Sequence, residues 1–184
     1  MDISLIPARY AKALLDYSTE VGMVKDVYRN MKNLAKNFTD FPKIVKALEN
    51  PIVSQEDKKK LIVTAAGENV CDAFLRFVDL IIKNKREASI HFMALEFRDA
   101  YRKRHNIFYG KLTTVVPWNE ESIDKLKKFL LRGREGTVEF HYVIDKDIIG
   151  GFIIEYDSKL LDASIAGQIK LINKELVERN RRIV

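Results

Sequence analysis

Cysteine is nearly absent. Cys71 is the only one in 184 residues, so no intramolecular disulfide can brace the fold, and its apolar helical surroundings point to a buried, inert thiol. Long apolar runs are missing too. A membrane-crossing helix needs about 20 largely apolar residues, and each run here, including FVDLIIKN around Val78, is soon broken by a charge. The amino-terminal MDISLIPARY lacks the basic region and apolar stretch of a secretory signal, so a cytosolic chain is expected. Histidine occurs only three times, as His91, His105 and His141. None belongs to an HExxH or paired-cysteine arrangement, and no GxSxG elbow marks a nucleophile. No catalytic residue, metal or cofactor is expected. Low-complexity segments and fixed-period repeats are also lacking.

What is present is a globular composition, 47% hydrophobic and 32% charged, with a net charge of +6. The basic excess is amino-terminal: residues 1–105 hold 19 Lys and Arg against 14 Asp and Glu, whereas residues 106–184 hold 13 against 12. Clustered cations attract polyanions whatever the fold. A basic helical nucleic-acid-binding protein is therefore the alternative to weigh. The clusters are KKK at 58–60, RKRH from Arg102 and RNRR from Arg179. Each falls late in a helix or on a polar face, where positive charge complements the helix dipole and stays solvated. No zinc finger, recognition-helix signature or RNP-like strand accompanies them, so no nucleic-acid partner is expected.

Hydrophobic periodicity predicts an α+β chain with a boundary near residue 105. Over residues 1–105 it predicts an all-helical bundle of about six helices. Tyr10, Leu14, Tyr17 and Val21 share one face of the first, and Val24, Val27, Met31, Leu34 and Phe38 stripe the second. Pro42 opens a short third helix that ends near Asn50 and Pro51. Ser54 with Asp57 three residues on is a capping-box-like start for the fourth, and Gly67 a stop. In the fifth, Phe74, Leu75, Phe77, Val78, Ile81 and Ile82 cover more than half the circumference, which marks it as the central helix. The sixth carries Ile90, Met93, Phe97 and Tyr101 from about Glu87.

Residues 106–184 read as a small α/β domain. IFYGKLTTVV suits a strand ended by Pro117, Asn119 caps a helix with Ile123, Leu126 and Leu130 inward, and TVEFHYVI alternates through Val138, Phe140 and Tyr142. Gly150 and Gly151 then raise the possibility of a phosphate loop. They fit neither GxGxxG nor GxxxxGK, and the extended FIIEY follows them instead of a helix. They are a bend between strands. A calcium loop starting at Asp145 is excluded as well, because Ile149 and Tyr156 occupy its fifth and twelfth positions, where oxygen ligands are required. Asp145, Lys146 and Asp147 read as a polar hairpin turn. Farther on, Ile165, Ile169, Ile172 and Leu176 form a helical stripe whose default reading is packing on the sheet, with receipt of a partner as the alternative.

Four blocks in order, RYAKALL from Arg9, NPIVSQEDKKKLI from Asn50, FLRFVDLIIKNKRE from Phe74 and DKDIIGGFIIEYDSKLLDASIAGQIKLI from Asp145, resemble the delta subunit of rotary ATP synthases and its mitochondrial counterpart, the oligomycin-sensitivity conferring protein. The resemblance spans nearly the whole chain. One departure is Tyr156, where the family often has Gly before the residue matching Asp157. The resemblance implies a noncatalytic stator, or peripheral-stalk, subunit of a proton-translocating enzyme, at the cytoplasmic face of the plasma (inner) membrane and held there only through the complex. Its bundle would bind amino-terminal helices of the alpha subunits, and its carboxy-terminal domain the ends of the b-subunit stalk. The implied groove lies between the first and fifth helices, which makes Tyr10, Leu14, Tyr17, Phe74, Phe77, Val78 and Ile81 the expected partner-binding residues.

Overall fold

In a computed structural model, residues 5–131, 133, 135–156 and 159–181 are described, with side chains to 177. The chain forms two compact units, Met1–Tyr101 and Arg102–Val184. The first holds α1 (Leu5–Glu20), α2 (Val24–Asp40), α3 (Lys43–Glu49), α4 (Gln55–Ala66), α5 (Asp72–Lys83), a 3-10 turn (Glu87–Ser89) and most of α6 (Ile90–Arg104). The second holds β1 (Ile107–Thr114), α7 (Glu120–Leu131), β2 (Thr137–Ile144), a 3-10 turn (Lys146–Ile148), β3 (Phe152–Tyr156), β4 (Lys159–Asp162) and α8 (Ile165–Arg181). This is the expected α+β architecture.

Local chemistry sets the helix boundaries of the first unit. Ser54 Oγ accepts the Asp57 N–H at 3.1 Å and donates to its carboxylate at 2.7 Å, which starts α4. Gly67, at φ +105°, ends it. In α1 the helix stops earlier than the expected stripe. Gly22 turns at φ +72° and the Met23 N–H returns to Ser18 O at 2.9 Å, a Schellman-type close that leaves Val21 exposed beyond the helix. Val27, Met31 and Leu34 are fully buried, and α2 packs against α1, α3, α4 and α5. Thus α2 takes the central place expected of α5, which keeps Arg76, Asp79 and Leu80 at the surface. Three asparagines on α2 donate to the end of α4 and the loop after it: Asn33 to Ala66 O (3.3 Å), Asn37 to Ala65 O (2.8 Å) and Asn30 to Asn69 O (2.9 Å). Asn30 also accepts the Cys71 N–H at 3.3 Å, so it ties α2 to the start of α5 as well. Cys71 is half-buried at that helix start and does not belong to the core.

In the second unit the sheet order is β2-β1-β3-β4. The strands β1 and β2 are parallel and joined by α7, whereas β3 is antiparallel to both β1 and β4. Leu112, Leu126 and Ile154 form the core, with Trp118, Leu130, Phe140 and Phe152 packed around it. Asn119 caps α7 by accepting the Ser122 N–H at 3.0 Å. The segment 145–148 is not a hairpin turn, because β2 and β3 flank β1 on opposite sides and do not pair. It is a 3-10 crossing in which Asp145 accepts the Asp147 N–H. The crossing ends in a γ-turn: the Gly150 N–H bonds Ile148 O at 2.8 Å, with Ile149 at φ +67°. Gly151 follows at φ +76°, close under the Ala163 carbonyl.

Candidate functional site

The α1/α5 seam is where the described surface offers an apolar groove. Two hydrogen bonds define it. Asn84 Nδ2 donates to Tyr10 Oη at 3.0 Å, and Arg76 Nη1 donates to Tyr17 Oη at 3.0 Å. Increasing numbers on α1 therefore meet decreasing numbers on α5, so the helices run antiparallel. Between these bridges lies a cleft of about 240 Å³. Leu14 and Phe77 line its floor, Ala13 and Ala73 leave room between the helices, and Leu80 stands at the edge, 48% exposed. The seven helical steps from Tyr10 to Tyr17 span roughly 10 Å, which is about two turns of an opposing helix.

The expected binding residues divide. Tyr10, Leu14, Tyr17 and Phe77 do line the groove. Phe74, Val78 and Ile81 are fully buried and face the bundle interior, so they support the groove without lining it. The reason is geometric. Ala73, Phe77 and Leu80 follow an i, i+4, i+7 spacing, and Phe74, Val78 and Ile81 follow the same spacing one residue on, about 100° around the helix. Ala13, Ala73, Arg76 and Leu80 had no signal of their own in the sequence. Two are alanines, one is charged, and the leucine sits among other apolar residues that are core.

The basic clusters are less solvated than expected. Lys58 is buried and donates to Glu87 Oε1 at 2.7 Å. Burial opposes ionisation of Glu87, yet the hydrogen bond from Lys58 and the charges of Lys58 and Lys85 prevail and hold its carboxyl below the usual value. Arg102 is also buried; it donates to Glu139 at 3.0 Å and lies 4.1 Å over the Tyr109 ring. Both cations are committed to intramolecular partners, not to phosphates. The side chains of the run from Arg179 lie outside the described residues, as does Asp157 beside Tyr156.

The histidines do not converge. His91 stacks on Phe38 at 5.5 Å, and His105 and His141 are exposed. Among the described residues no group of three or more His, Cys, Asp or Glu could hold a metal ion. A wider depression of about 530 Å³ on the second unit contains the Lys111–Glu155 ion pair at 3.0 Å. Along α8, Ile165, Ile169, Ile172 and Leu176 are each 44–57% exposed, so the sheet does not cover the stripe. Ile165 approaches the crossing, with its Cδ1 above Gly150. No described helix is long and apolar enough to cross a membrane.

Comparison with known proteins shows the same whole-chain match as the sequence blocks. Residues 6–176 match the model of the ATP synthase delta (OSCP) subunit family. The ATP synthase subunit delta of Phocaeicola vulgatus is 43% identical over 185 residues, covering all of both chains. That of Bacteroides thetaiotaomicron is 37% identical over 186 residues, again over both full lengths. In fold, the chain is similar to one from the cryo-EM structure of the Toxoplasma gondii mitochondrial ATP synthase hexamer, with a TM-score of 0.62 at 19% identity, covering 93% of this chain and 97% of the other. The chain belongs to the ATP synthase delta (OSCP) family, as a noncatalytic peripheral-stalk subunit of the ATP synthase.

Proposed function

We propose that the chain joins the alpha/beta catalytic head to the b-subunit stalk and so resists rotor torque. Residues 1–105 serve the head and residues 106–184 the stalk. The carrying observation is the α1/α5 groove, whose apolar floor, small walls and half-exposed Leu80 suit the apolar stripe of an amphipathic helix. An amino-terminal helix of an alpha subunit is the occupant. On the second unit, the uncovered α8 stripe is the surface for the b-subunit ends. Attachment to the cytoplasmic face of the plasma membrane is then peripheral, through the complex.

The test is titration calorimetry of the full chain with a synthetic peptide of about five helical turns from the amino terminus of the alpha subunit. Leu80→Asp is the better probe than Phe77→Asp, because Phe77 is buried and its loss also disrupts the bundle. A carboxylate against the apolar stripe should weaken binding at least about thirtyfold with an unchanged circular dichroism spectrum. Equal affinity of Leu80→Asp and wild type would remove the groove as the site. The rival nucleic-acid reading predicts an affinity for RNA or DNA that falls steeply with salt; the apolar groove predicts weak salt dependence for the peptide.

A further inference from the structure

Among the described residues, Arg76 is the only charged one lining the α1/α5 groove. Its Nη1 donates to Tyr17 Oη, and among the described residues it forms no ion pair. Of the two acids one turn away on α5, Asp79 is taken by Lys59 of α4, and Asp72 forms no ion pair with Arg76. A guanidinium has five donors in a planar fork, so most of this fork is available beside an apolar surface. Tyr17 fixes its position: the hydroxyl accepts from one arm and holds the cation at one end of the cleft. The opposite end is closed by the Tyr10–Asn84 bond, and no charged side chain among the described residues lines the groove there. The groove is therefore electrostatically polar along its length, with a cation at the Tyr17 end and an amide at the Tyr10 end.

We infer that Arg76 reads a carboxylate on the incoming helix. The groove then selects an amphipathic helix in which an Asp or Glu flanks the apolar stripe at the end lying against Tyr17. This rests on the α1/α5 groove being the helix-binding site. Apolar burial sets affinity but is tolerant of direction, since a leucine stripe reads much the same from either end. A single cation at one end breaks that degeneracy, because the reversed helix would place its carboxylate beside Asn84 and leave Arg76 unmatched. Arg is suited to this by bidentate pairing with a carboxylate. Tyr17 acts as a positioning residue for the guanidinium.

The experiment is a double-mutant cycle on the full chain. The probes are the alpha-subunit amino-terminal peptide and variants in which each Glu or Asp is changed singly to its amide, titrated against wild type, Arg76→Gln and Tyr17→Phe. One carboxylate-to-amide peptide should bind wild type about fivefold more weakly than the native peptide, and the same change should cost nothing on Arg76→Gln. Raising the salt should shrink the difference between wild type and Arg76→Gln. Tyr17→Phe should weaken that coupling without abolishing it. If Arg76→Gln binds the native peptide as tightly as wild type, or if every amide peptide behaves alike on both chains, the assignment of Arg76 is overturned while the groove stands. If the native peptide fails to bind wild type at all, the groove reading itself falls, and this inference with it.

Discussion

Lys58→Met would expose how much of the bundle depends on one buried ion pair. Lys58 on α4 and Glu87 in the turn before α6 meet at 2.7 Å with side chains only 8% and 14% exposed, and the second Glu87 oxygen is buried without a hydrogen bond. Methionine keeps most of the aliphatic stem but strands the carboxylate. Breaking a fully buried pair from one side costs about 3–5 kcal/mol. Residual access to water and the nearby Lys85 charge reduce the expectation to about 2–3 kcal/mol. For a helical unit of roughly 100 residues this lowers the melting midpoint by about 10–20 °C, followed by circular dichroism at the helix band. The pH dependence is diagnostic. Glu87 is depressed in the wild type, so its stabilisation is present above the unfolded carboxyl value and is lost as pH falls through the lower folded value. In Lys58→Met burial dominates and the carboxyl is raised, so protonation relieves the variant. The stability gap should therefore narrow between about pH 7 and pH 4. Lys58→Met combined with Glu87→Leu should recover most of the loss. A gap that is absent, or constant over that pH range, would refute the reasoning.

Three further outcomes are expected. His91 titrates below its ordinary value, through burial first and the Arg98 cation second; the unfolded chain then binds more protons, and stability should drop as pH falls from about 6.5 toward the folded value. His91→Phe keeps the stack on Phe38 and should flatten that slope in urea titrations at a series of pH values. Gly151→Ala adds a methyl against the Ala163 carbonyl at a positive φ and should cost the second unit about 3 kcal/mol. Trp118 is the sole tryptophan and lies edge-on to Phe152 at 5.2 Å, so its fluorescence reports that unit alone. Ile149 is a β-branched residue at φ +67° and is 61% exposed, and Ile149→Gly should raise the midpoint of the same fluorescence transition by the equivalent of about 1 kcal/mol.

Elements with local causes were legible in the sequence. The Ser54 cap, the Gly67 stop, the Asn119 cap and the switch from helical to alternating patterning each act within a few residues. Pairings across the chain were not. Nothing local indicates that β2 and β3 flank β1, so the Asp145–Asp147 segment looked like a hairpin turn when it is a crossing. Lys58 and Arg102 looked like solvated members of basic runs, because their carboxylates lie 29 and 37 residues away.

The sequence by itself determined the family and the α+β order of elements, and through the family resemblance it pointed to α1 and α5 as the helices of the proposed site. On α1 the expected stripe of Tyr10, Leu14 and Tyr17 is the one that lines the groove, whereas the face of α5 that does so was decided only by tertiary packing. On α5, Phe74, Val78 and Ile81 repeat with the same spacing as Ala73, Phe77 and Leu80. On α1, Ala11, Leu15 and Ser18 repeat with the same spacing as Tyr10, Leu14 and Tyr17. Periodicity measures the interval between apolar residues and carries no information about what lies opposite. Packing against the rest of the bundle turns one stripe of each pair to the interior and leaves the other to line the α1/α5 groove, with Arg76 at its edge.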